Sequence, residues 1–131
     1  MTQMDFESKT IRTSAILTAS YVASDVRGLW DSLIMTEKNQ VILLVNFTKG
    51  SLTSMEMKID FSPDSVTYYQ ETSLAISGGT GTVSLFEYTF TATGTYRIAV
   101  PIKDRYMKVS VKGTGTATSS LCQIDAITWI A

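Results

Sequence analysis

The chain has 131 residues, 11 of them basic and 12 acidic, for a formal net charge of −1. That length fits one domain with enough interior to stand without a staple, and balanced, scattered charge argues against nucleic acid, whose phosphates need clustered Lys and Arg. Histidine is absent and Cys122 is the single cysteine, which removes the commonest general base, any Ser-His-Asp or Cys-His arrangement, Cys/His zinc sites and an internal disulfide.

Residues 1–8, MTQMDFES, are polar and aperiodic, and read as a flexible N-terminal arm ahead of a single domain over residues 9–131. The start of the chain has early acidic residues and no unbroken apolar core, unlike a signal peptide, and no window approaches the ~18 apolar residues of a membrane span. Manufacture in a cytoplasm, with no membrane partner, is the expectation. Lys9–Val22 is rich in β-branched residues and strand-like around Ile11–Thr18, and Ser24–Gly28 is a turn. Leu29–Thr36, LWDSLIMT, fits two periods: Leu29, Leu33 and Ile34 suit a short helix, whereas Trp30, Ser32, Ile34 and Thr36 suit a strand. A strand or an irregular covering segment is favoured, followed by a polar turn at Glu37–Gln40.

Val41–Phe61 is the stretch around which the rest is organised. Met55, Met57, Ile59 and Phe61 alternate with Glu56, Lys58 and Asp60, the period of a half-exposed strand. Val41, Leu43, Val45 and Phe47 share one face of the preceding strand, but Ile42 and Leu44 occupy the other. A strand apolar on both faces lies in the middle of a sheet or under another layer. Ser62–Ser65 is a turn in which Pro63 fixes φ and Asp64 bonds backbone N–H groups. Strands are then expected at Val66–Ile76, Val83–Thr93, Tyr96–Ile102, Arg105–Lys112 and Ser119–Ile130, with glycine-rich loops at Ser77–Thr82 and Gly113–Ser120.

Eight or nine short strands with turn signals every ~8–12 residues make an all-β protein, an antiparallel β-sandwich of jelly-roll kind. Its core should hold Val41, Leu43, Val45, Met57, Ile59, Ile98, Val100, Val109 and Val111.

Signals for chemistry are sparse. Glu71 and Glu87 are candidates for the carboxylate pair of a glycoside hydrolase, but carboxylates on outer strand faces are more often solvated surface. Neither SGGTGT nor GTGTA carries the lysine and helix of a P-loop, so their glycines serve hairpins. Asp60, Asp64 and Asp104 sit at strand ends, where sandwich loops can bind calcium, but their spacing matches no EF-hand. The sequon Asn46-Phe47-Thr48 falls within a strand. Cys122 lies in an apolar run and reads as a buried thiol. Tyr68 and Tyr69 form the one aromatic cluster near a loop; adjacent strand positions point to opposite faces, so one ring is expected in the core and the other across a neighbouring strand. No enzymatic activity, cofactor or metal is expected.

NFTKGSLTSMEMKIDFSPDSVTYYQET, the TATGTYRIAV hairpin and IKDRYMKVSVKGTGTATSSLCQIDAI together resemble a type of small all-β structural protein encoded by tailed bacteriophages. The shared pattern is a strand ending in an FSPD turn before an aromatic-rich strand, then a DRYMKVSVKGTG segment feeding a last strand of the form IDAI. It covers roughly residues 40–128. The resemblance implies a virion component: a capsid decoration (cement) protein on the outside of the shell, or a related head or tail accessory protein. Its partners would be the major capsid protein or other virion proteins and further copies of itself, commonly as a trimer. The alternative is a carbohydrate- or receptor-binding sandwich module of a phage tail or fibre. The low proportion of charged residues, 18%, suits a surface covered by neighbours. Candidate contacts are the arm residues Met1, Thr2, Gln3, Met4, Asp5 and Phe6, with Trp30, Tyr68 and Tyr69.

Overall fold

The two halves of Val41–Phe61 become central strands of two facing sheets. The computed structural model describes residues 5–25, 40–104 and 106–130. Among these residues there is no helix, and eleven strands form. The first sheet runs in the order β1 (Asp5–Ala15), β11 (Leu121–Ile130), β3 (Gln40–Thr48), β9 (Gly94–Pro101). The second runs β2 (Val22–Asp25), β10 (Tyr106–Gly115), β4 (Leu52–Ser62). Two short strands, β5 (Tyr69–Gln70) and β8 (Tyr88–Phe90), share the remaining edge of β4. Every pairing is antiparallel. The chain crosses repeatedly between sheets, and the last strand lies beside the first. With β5 and β8 counted as one edge strand, four strands face four, the jelly-roll arrangement.

Side-chain alternation explains the packing. Val41, Leu43, Val45 and Phe47 point inward from β3 and are fully buried, while Ile42 is buried on the outer face and Leu44 half-buried there. β3 lies inside its sheet, between β11 and β9, as a strand apolar on both faces should, but its outer face is covered only in part, since Asn46 and Thr48 are exposed. From the facing sheet come Met55, Met57, Ile59 and Phe61 of β4 and Met107, Val109 and Val111 of β10. All nine expected core residues lie there, Ile98 as a half-buried side chain packed on the rest. Burying each aliphatic side chain stabilises the fold by about 1.5–3 kcal/mol, so this inner layer holds the sheets together. The turn after β4 also forms as expected: Asp64 Oδ1 accepts from the backbone N–H groups of Val66 and Thr67 and from the Ser62 hydroxyl. Those bonds, that of Thr67 foremost, hold the Asp64 carboxyl below its ordinary pKa.

Several boundaries differ from the sequence reading. The arm expected over residues 1–8 is strand from Asp5 onward, where β1 pairs with the end of β11. Ser24 and Asp25, expected in a turn, pair with Val109 and Lys108 of β10. The strands expected at Val66–Ile76 and Val83–Thr93 each break, at Glu71 and at 86–87, giving β5 with β6 (Thr72–Ser77), and β7 (Thr80–Leu85) with β8. The loop expected at Ser77–Thr82 shrinks to Gly78 and Gly79. Both have positive φ (56° and 81°), as a two-residue hairpin turn requires. Gly113–Gly115, also expected in a loop, continue β10. The ambiguous segment Leu29–Thr36 lies outside the described residues.

Candidate interaction surface

Among the described residues, β6 and β7 pair only with each other. They form a ribbon in register from Thr72 opposite Leu85 to Ser77 opposite Thr80, and every residue in both strands is exposed. Alternation divides it into two faces. Thr72, Leu74, Ile76, Gly81, Val83 and Leu85 make one face; Ser73, Ala75, Ser77, Thr80, Thr82 and Ser84 make the other. On the first, Leu74, Ile76, Val83 and Leu85 retain 60%, 73%, 65% and 68% of their full exposure. No residue from 72 to 86 is charged, although Glu71 and Glu87 bracket the segment. A two-stranded ribbon alone in water is marginal, so so much uncovered aliphatic surface marks an association site.

The geometry of the neck shows that the ribbon is inserted into a strand that is complete without it. Gln70 lies opposite Asp60 and Tyr88 opposite Met57, which leaves Ile59 and Lys58 of β4 between them. Glu71 donates its N–H to the Ile59 carbonyl at 2.9 Å, and Phe86 donates its own to the Glu71 carbonyl at 2.8 Å, closing the neck. Glu71 thus takes the place opposite Ile59 and Glu87 the place beside Lys58. The edge strand keeps its register across the excursion. Phe86 anchors the base edge-on against Tyr88, centroids 4.9 Å apart, and its carbonyl accepts from the Gln70 amide at 3.1 Å.

The same geometry separates the two candidate carboxylates. Consecutive positions of an extended strand face opposite ways. Glu71 turns to the core side, where Lys103 lies 3.4 Å from Oε2 and the buried Oε1 finds no partner among the described residues. Glu87 turns outward and accepts the Tyr21 hydroxyl. They do not converge on one substrate position. Among the described residues no three His, Cys, Asp or Glu side chains group to hold a metal ion.

The outer face of the second sheet carries a polar network. Glu56 is buried and accepts from Ser54 and Thr114, each at 2.5 Å. Lys58 and Lys112 both sit 4.8 Å from the Tyr21 ring centroid, and Lys58 lies 3.9 Å from Asp60. Burial first, and then the Glu87 carboxylate, push the Tyr21 hydroxyl far above its ordinary pKa.

Tyr68 and Tyr69 depart from expectation, since neither ring enters the core. Tyr68 is half-buried beneath Lys108, whose Nζ is 4.0 Å from the ring centroid. Tyr69, opposite Phe61 at the end of the sheet, is 62% exposed. Met1–Met4 and Trp30 lie outside the described residues, and Asp5 and Phe6 are placed by backbone pairing with Ile130 and Trp129. The sequence reading expected a hairpin at the Ser77–Thr82 glycine loop but not that its two strands would leave the main sheets. The hairpin's signal was a Gly-Gly pair between two uncharged alternating runs. Compared with protein families and with curated proteins, the chain matches none.

Proposed function

We propose that this chain is a non-enzymatic structural protein of a virion, a decoration protein that binds the outside of a tailed-phage capsid and reinforces it. The observation that carries the reading is the ribbon: an uncharged, half-aliphatic projection set into a jelly roll whose edge strand runs in register without it. A ligand-binding enzyme concentrates its specialised groups in a concave site; here the surplus apolar surface stands on an outward projection, which suits contact with other proteins. The resemblance over residues 40–128 supplies the virion context. The test is co-sedimentation of the purified chain with empty shells of the phage that encodes it. Saturable binding at a fixed ratio to the major capsid protein is expected, with a higher melting temperature for the decorated shell. A folded chain that stays in the supernatant overturns the reading.

The exposed Tyr69 ring favours one alternative, a sugar- or receptor-binding module of a tail or fibre. Stacking on a sugar needs convergent polar groups beside the ring, and the neighbouring Gln70 amide is already bonded to the Phe86 carbonyl. Binding of the isolated chain to a glycan, abolished by Tyr69→Ala, would favour that alternative.

A further inference from the structure

We propose that the apolar face of the β6–β7 ribbon is a self-association surface, and that its occupant is the ribbon of a second copy of this chain. Charge gives the first argument. A partner recognised through electrostatics would be met by Lys, Arg, Asp or Glu, and residues 72–86 carry none. Edges exposed to water are normally guarded by such charges, so two ribbons can meet with neither repulsion nor an unpaired charge to bury.

Shape gives the second. On the apolar face the strands form three rungs: Thr72 with Leu85 at the base, Leu74 with Val83 in the middle, and Ile76 with Gly81 at the tip. A second ribbon turned over about a two-fold axis across the strands sets large residues against small ones. Ile76 lies over Thr72 of the second copy and Leu85 over its Gly81, while Leu74 and Val83 meet their own counterparts. A two-fold axis along the strands preserves the match, placing Ile76 over Gly81 and Leu85 over Thr72 of the second copy. The face is complementary to itself, as an isologous contact requires.

Area gives the third. Four aliphatic side chains, each more than half exposed, amount to roughly 400 Å² of apolar surface per copy. Two copies together approach but do not reach the roughly 1,200 Å² of a standard stable interface, so ribbon contact alone gives association in about the micromolar range. The inference rests on the reading of the ribbon as an association device; the virion assignment does not enter it.

Sedimentation of the purified full chain over about 1–100 µM tests it. The wild type should pass from monomer to a larger species within that range. Leu74→Lys and Leu74→Glu each place a charge on a fully projecting ribbon, where the fold is untouched. Circular dichroism and a cooperative melt check that. Each variant alone should associate at least about a hundredfold more weakly, and an equimolar mixture of the two should recover association, because under either two-fold axis both positions 74 lie on the facing middle rungs, directly opposite or diagonal to each other. A wild type that stays monomeric throughout overturns the inference. So does an oligomer indifferent to both variants, or a mixture that stays monomeric. The two proposals fail separately: a chain that self-associates but ignores shells sinks the decoration reading alone, and one that binds shells as a monomer sinks this one alone.

Discussion

If the ribbon is an insert in a complete strand, excising residues 72–86 and joining Glu71 to Glu87 should leave the jelly roll folded. The structure sets the size of the effect. The ribbon packs none of its own residues into the core, so no aliphatic burial is lost from β6 or β7. Lost at the neck are the Phe86–Tyr88 edge-on ring contact, worth about 1 kcal/mol, and two exposed hydrogen bonds worth about 0.5–1 kcal/mol each. Against this, closing the excursion costs the folded protein about 2 kcal/mol of loop entropy, which excision returns. The terms nearly cancel, and the expected change in unfolding free energy is within about 1 kcal/mol of zero, a shift in melting temperature of at most about 4 °C. Urea denaturation followed by tryptophan fluorescence and far-UV circular dichroism measures it. A loss above about 3 kcal/mol, or a melt without cooperativity, would refute the reasoning, because that is the scale of a core deletion rather than of a surface excursion. The excised chain should also remain monomeric where the wild type associates.

Met57→Ala supplies the contrasting scale: its side chain is fully buried between the sheets, and the substitution should cost about 2–5 kcal/mol in the same denaturation assay. Gly113→Ala should cost about 1–3 kcal/mol, since a Cβ there would come within 2.7 Å of Leu52 Cδ2 and 3.2 Å of Leu17 Cβ. The Asp64 carboxyl has a depressed pKa in the folded state, so its contribution is present above the ordinary aspartate value of 3.8 and lost as pH falls through the lower folded value. Asp64→Asn should therefore lower stability at neutral pH and flatten its fall below pH 3.8, as melting temperatures across that window will show. Burial pushes the Cys122 thiol up to about 11, with Arg12 opposing. It should resist alkylation at pH 8 in the native protein and react on unfolding, with mass spectrometry counting adducts; prompt native-state labelling would contradict its placement.

The inner layer is legible from the residues alone. In β4 and β10 the alternation of apolar and polar residues is clean, and β3, apolar on both faces, places Val41, Leu43 and Val45 on one of them; a period of two then lets Val41, Leu43, Val45, Met57, Ile59, Val109 and Val111 be buried together. The turn at Ser62–Ser65 was equally local, because proline and aspartate act on the backbone beside them. The course of Tyr69–Phe90 depends instead on long-range pairing. Leu74, Ile76, Val83 and Leu85 alternate with small polar residues as a sheet strand would, and nothing in that period distinguishes a strand paired with β4 from one paired only with its own return. What decides is the pairing of Glu71 with Ile59 and of Tyr88 with Met57. Those contacts join positions far apart in the chain, and they fill the edge of β4 before the ribbon can reach it. The opposed directions of Glu71 and Glu87 follow from the same pairing, since a side chain's face is set by its register in the sheet and not by its neighbours in the sequence.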